Sequence, residues 1–154
     1  MRRFIVVPET AEHRIVVWGD PRDLIQGSLF AITREDDVSF GILNSRFHDA
    51  WATRQGNRLG VGNQRRYNIS RTFETYPFPE DLTPNIPATQ YANDDRARAI
   101  ATAARRLNDL RANWLNPPDL VRIEPEVVPG YPDRIVPKDT VAAAKLRERA
   151  LTKL

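Results

Sequence analysis

Arg46, Arg54, Arg58, Arg65, Arg66 and Arg71 all fall between Asn44 and Arg71, where the only acid is Asp49. Those 28 residues carry +5, against +3 for the whole chain of 154, so the remainder sums to −2. Charge concentrated in this way is expected of a surface that meets phosphates. Arginine supplies 20 of the 23 basic residues. A GC-rich coding sequence accounts for that count, and so does a need for planar, multi-donor groups that fit phosphate and guanine.

Residues for bond-making chemistry are missing. Asp36-Asp37 and Asp94-Asp95 sit at helix starts, where capping and the helix dipole explain them. His48 and Asp49 are adjacent on a helix and do not face each other, so they form no dyad. Asn116-Pro117-Pro118-Asp119 resembles the Asn-Pro-Pro-aromatic motif of DNA amino-methyltransferases, but Asp119 cannot stack on a base and the segment follows a helix. A double-proline helix stop explains it. No Gly-rich loop follows a strand, so no catalytic residue and no cofactor is expected on this chain. With no cysteine and two histidines, 13 and 48, far apart, no metal site is expected either.

The elements that position the arginines can be read in order. Residues 3–7 and 14–18 are β-branched runs that predict a hairpin, and a third strand is expected at 29–33. Phe40, Leu43, Phe47, Ala50 and Trp51 recur at helical spacing and predict one helix over 39–55, capped by Asp37 or Ser39 and ended by a left-handed Gly56. Its other face carries Asn44, Ser45, His48 and Asp49. Gly56, Gly60 and Gly62 punctuate the arginine-bearing loop, and Thr72–Tyr76 predicts a fourth strand.

The result is an α+β fold: a small mixed or antiparallel sheet with a packed helix, then a proline-rich strap and two C-terminal helices. The expected divisions are a core at 1–79, an irregular proline-rich surface connection at 80–93, and a helical segment at 94–154 with the strap at 117–138. Ile100, Ala103, Leu107, Leu110 and Trp114 mark the first of those helices, over 94–116, and the second starts near Thr140. The chain begins almost inside a strand and ends in a helix without a stop signal, as expected of part of a longer polypeptide.

The central stretch resembles the target-recognition domain of adenine-specific DNA methyltransferases of the MmeI-like single-chain restriction–modification kind. The likeness rests on Phe40-Gly41-Ile42-Leu43-Asn44-Ser45 with Phe47-His48-Asp49-Ala50-Trp51, on Arg66-Tyr67-Asn68, and on Thr72-Phe73-Glu74-Thr75-Tyr76-Pro77-Phe78-Pro79. It implies that this chain reads double-stranded DNA beside a catalytic domain of the same polypeptide that binds S-adenosylmethionine and methylates adenine, an arrangement that in this family leaves room for a nuclease domain ahead of it. It also implies that base choice lies just before the Arg-Tyr turn, at Gly62, Asn63, Gln64 and Arg65. The chain departs from the family at Asn68, where serine is commoner, and in Gly60-Val61-Gly62.

The chemistry of those side chains agrees, since Asn and Gln pair bidentately with adenine and Arg with guanine. Arg46, Arg54, Arg58 and Arg71 are placed to neutralise phosphates and set register. The DNA-contacting set is therefore Asn44, Arg46, Arg54, Arg58, Asn63, Gln64, Arg65, Arg66, Asn68 and Arg71. Tyr67 and Trp51 read first as core packing and loop anchoring, with base stacking as the alternative.

No apolar run is long enough to span a bilayer and no secretory leader opens the chain, so a cytoplasmic protein with no membrane partner is expected. The competing function is a protein-interaction module that docks a partner subunit through the C-terminal helices.

Overall fold

The run Ile5-Val6-Val7 forms the centre of β1 (Phe4–Pro8), which is buried along nearly its whole length. β1 is the middle strand of an antiparallel sheet with β3 (Val17–Gly19) on one side and β4 (Leu29–Ile32) on the other, Ile5 lying opposite both Trp18 and Ile32. Pro8 has no N–H to continue the ladder. At Glu9 the chain turns into a second sheet, its N–H bonding Ser28 O at 2.8 Å and its carbonyl accepting from Tyr67 N at 2.6 Å. That sheet, also antiparallel, is ordered β2 (Thr10–Ala11), β6 (Gln64–Arg66), β5 (Asn57–Leu59). The computed structural model describes residues 1–59 and 64–151, so Gly60, Val61, Gly62 and Asn63 lie outside the described residues. The α+β class is as expected, with two small sheets in this N-terminal part where one was expected.

The single helix expected over 39–55 is two, α1 (Asp37–Leu43) and α2 (Arg46–Gln55). Asp36, rather than Asp37 or Ser39, caps α1 by accepting from Ser39 N at 2.8 Å. Ser45 is extended, and its hydroxyl accepts from His48 N at 3.1 Å to start α2. This break re-phases the apolar stripe. Phe47, expected in the core, is 82% exposed, and His48, expected on the polar face, is fully buried. Gly56 is extended rather than left-handed. Its need for glycine is space, because a Cβ there would lie 2.6 Å from the carbonyls of both Ala52 and Arg66.

The strand expected at 72–76 is instead a π-helical turn, Ile69–Phe73, running into a bend. Asn68 Oδ1 accepts from Ser70 N (3.1 Å) and Ser70 Oγ (2.7 Å), and Thr72 Oγ1 donates to Asn68 O at 2.6 Å. These local bonds satisfy the backbone without a ladder.

Ile5, Val7 and Ile32 from the strands and Val16 just before β3 pack with Phe40, Leu43, Ala52 and Tyr67 in one core. A second joins Val38 and Ile42 to Leu82, Tyr91 and Ala97, so residues 80–93 are anchored rather than laid over the surface. Arg34 fixes them. Its Nη1 donates to Pro84 O and Ile86 O, both at 2.9 Å, its Nη2 to the Tyr91 hydroxyl, and its Nε to Asp36 Oδ2 at 2.9 Å.

α3 (Asp95–Leu115) starts at Asp94, whose Oδ1 accepts from Arg96 N and Ala97 N. It buries Ala97 and Ala104 and half-buries Ile100, while Ala103 and Leu110 of the expected stripe are exposed. The approach to α1 is close: a Cβ on Gly41 would sit 2.7 Å from Ile100 Cγ2. The chain divides within α3 into two units, Met1–Arg105 and Arg106–Leu154.

In the second unit the segment expected as an irregular strap forms an antiparallel hairpin, β7 (Val121–Glu124) with β8 (Arg134–Pro137). Its prolines lie between or at the ends of the strands, where no ladder bond is lost. α4 (Thr140–Arg147) is capped by Asp139. Trp114 ties the unit together, its Nε1 donating to Ala150 O at 3.1 Å with Arg149 stacked over the ring at 4.7 Å. Among the described residues no helix is long and apolar enough to cross a membrane.

Candidate nucleic-acid interface

The β5–β6 hairpin and the helix before it carry all six arginines of the charged stretch or adjoin them. In an antiparallel pair, residues directly opposite share a face. Arg58 faces Arg65, and Ala11 lies opposite Arg65 on its other side, so one face of the sheet carries two guanidinium groups. Arg65 Nη1 donates to Thr53 Oγ1 at 3.2 Å, which ties that face to α2. Asn57, Arg66 and Thr10 are in register on the opposite face, and Arg71 joins them by donating to Asn57 Oδ1 at 3.3 Å. The arginines therefore form two groups on two faces of one hairpin, with Arg46 and Arg54 exposed on α2.

Their partners differ. Arg66 is held by Glu9, with Nε at 2.9 Å and Nη2 at 2.6 Å from Oε1, which leaves it a structural role in the hairpin. Among the described residues Arg65 and Arg71 hydrogen-bond only neutral oxygens. Arg46, Arg54 and Arg58 have no hydrogen-bond or ion-pair partner among the described residues. Gln64 is exposed at the start of β6. Asn44 caps the C-terminus of α1, its side chain donating to Phe40 O at 3.0 Å, and Asn68 caps the π-helical turn. Asn63 lies outside the described residues.

Arg14 was not legible as part of this site, because it stands alone at the start of a strand-like run. Its side chain is only 3% exposed, and Nη1 lies 3.4 Å from Asp49 Oδ1. The one acid of the charged stretch thus faces an arginine from outside it. Arg14 also lies 5.2 Å from the centroid of the Tyr67 ring, and its Nη2 is buried without a hydrogen-bond partner.

Beneath the hairpin, His48 and Tyr67 form the polar centre of the core. The carbonyl of Leu43 can only accept, so His48 Nδ1 carries the hydrogen across 2.9 Å, and Nε2 accepts from the Tyr67 hydroxyl at 3.0 Å. Burial, reinforced by the nearby Arg14 charge, pushes the His48 imidazole down to about 4. Burial pushes the Tyr67 phenol up to about 12. Both are neutral at pH 7 and act as scaffold rather than as acid or base. Tyr67 is therefore core, as the packing alternative expected.

No family model, curated protein or solved structure matches this chain. Its functional reading accordingly rests on its own residues. Among the described residues no cluster of histidines or carboxylates could hold a metal ion. What the site can do chemically is present cations: an exposed arginine pair on α2, and a two-faced hairpin whose guanidinium groups are mostly unneutralised.

Proposed function

We propose that this chain is the DNA-reading module of an S-adenosylmethionine-dependent, adenine-specific DNA methyltransferase of a restriction–modification system, working beside a catalytic domain on the same polypeptide. One observation carries the DNA part of this reading. Among the described residues, Arg66 is the only one of the six arginines at 46–71 that meets a carboxylate, whereas Arg3, Arg14, Arg22, Arg34, Arg96, Arg98, Arg105, Arg122 and Arg134 each do. Arginines left without acids in a protein rich in acids favour a polyanionic partner. The methyltransferase part rests on the resemblance of the Phe40–Trp51 and Thr72–Pro79 segments.

In this reading Arg46, Arg54, Arg58 and Arg71 contact phosphates and fix register, while Gln64 and Arg65 at the hairpin meet base edges in the major groove. Arg66, Asn44 and Asn68 hold the hairpin and its supports in shape. The test is site choice in the complete methyltransferase. Exchanging Gln64 or Arg65 is expected to shift which sequence is methylated by about 1–3 kcal/mol per lost bidentate contact. Unchanged site choice in both variants overturns the assignment. Docking of a partner subunit through the C-terminal helices is the second reading, and exposed Leu110 on α3 and Val141 on α4 favour it.

A further inference from the structure

Phe47 is the one large side chain of the stripe expected over 39–55 that the fold leaves in solvent. It borders a concave surface of about 520 Å³ whose other walls include Trp51, Tyr76, Pro77, Pro79 and Arg54. Among the described residues no carboxylate lines it. The far wall is braced from behind. Trp51 Nε1 donates to Thr75 Oγ1 at 3.3 Å, and the Trp51 and Tyr76 rings meet edge to face at 6.3 Å. Tyr76 is in turn held edge-on by His48 and Phe78, each 4.9 Å away. Phe47 has no ring partner of its own among the described residues, so its faces are free. Arg54 in the lining, and Arg46 one turn before Ala50 on the same helix, have no acidic partner among the described residues.

We propose that this concave surface takes one unstacked nucleotide, its base laid on Phe47 against the Trp51–Tyr76 wall and its phosphates at Arg54 and Arg46. The inference rests on the nucleic-acid reading above and adds a single-strand function to it. Free aromatic faces beside unpaired guanidinium groups are the two components of a stacking platform in an electrostatic funnel. The lining is rings, prolyl carbons and one guanidinium, with little that could read a base edge. Capture is therefore tolerant of base identity, whereas duplex reading at the hairpin is selective.

The experiment measures fluorescence anisotropy of a labelled oligothymidylate and of a labelled blunt duplex with this chain, comparing wild type, Phe47→Ala and Phe47→Trp. Phe47→Ala is expected to weaken oligothymidylate binding about tenfold and to leave duplex binding within about twofold, while Phe47→Trp retains both. If Phe47→Ala leaves oligothymidylate affinity unchanged while duplex binding persists, the platform is refuted and the DNA-reading role stands. If neither nucleic acid binds, both fall together. Competition by an acidic peptide that Phe47→Ala abolishes, or self-association lost in Phe47→Ala by sedimentation, would replace the nucleotide with a protein occupant and overturn the proposal.

Discussion

Arg34 and Arg58 carry the same group and are used in opposite ways. Arg34 lies beneath the 80–93 segment with its donors directed at two carbonyls, a phenol and a carboxylate, and its side chain is only 16% exposed. Arg58 is exposed on its strand opposite another arginine and has no hydrogen-bond or ion-pair partner among the described residues. The same contrast runs through the chain. Arg3 stacks on Trp18 at 3.7 Å while pairing with Asp37, and Asp37 also takes Arg105. Among the described residues Arg46 and Arg54 have neither ring nor acid as partner. A guanidinium surrounded by acceptors stabilises the fold, and one left bare beside its like is available to a partner.

The contrast breaks most sharply if its two ends are mutated. Arg34→Ala leaves the carbonyls of Pro84 and Ile86 without their side-chain donor and Asp36 without its ion-pair partner, and is expected to cost roughly 3–5 kcal/mol in a urea melt. Arg58→Ala removes no internal contact and should change stability by less than about 0.5 kcal/mol. Equal losses at the two positions would mean that Arg58 is structural after all.

Next in size is the pH response of the scaffold under the hairpin. His48 titrates near 4 in the fold and near 6.5 unfolded, so below pH 6.5 the unfolded state binds a proton that the folded state refuses. Its contribution is whole above about pH 6.5, declines as pH falls toward 4, and then levels off. The total loss is about 3 kcal/mol. Urea melts across that window on wild type and His48→Gln should show the wild type losing this extra increment. Parallel pH curves would contradict the buried, neutral imidazole.

Much of this scaffold was legible in the sequence. The strands at Phe4–Pro8 and Leu29–Ile32 follow from β-branched runs, that expected at 14–18 starts three residues later, at Val17–Gly19, and α3 follows from long helical periodicity between Asp94 and Pro117. The break at Ser45 was not, because apolar spacing continues across it and only the hydroxyl on His48 N distinguishes a cap from a helix interior. That one residue sent Phe47 outward and His48 inward. The π-helical turn was hidden because Thr72, Phe73 and Tyr76 favour strands, whereas the bonds that coil the segment come from Asn68 and Thr72 onto local backbone. The β7–β8 hairpin was hidden by its prolines. Of the site, the charge density was legible and its division over two faces was not, since that depends on which residue of β6 opposes which of β5.

Smaller effects sharpen the same comparison. Arg66→Gln frees Glu9, and should weaken the hairpin by about 1–2 kcal/mol, since a charge-assisted pair is lost at a half-buried site. Arg71→Gln loses one hydrogen bond at an exposed site, and its effect on stability should be below about 0.5 kcal/mol while duplex affinity falls.

The most direct test is duplex affinity as a function of salt for the wild type and for the triple variant Arg46→Gln, Arg54→Gln, Arg58→Gln. The account predicts that log affinity falls linearly with log salt and that the slope is shallower by about one per arginine removed, three in all, with the melting midpoint unchanged. An identical slope in the two proteins, or binding by the wild type that does not respond to salt, would contradict it.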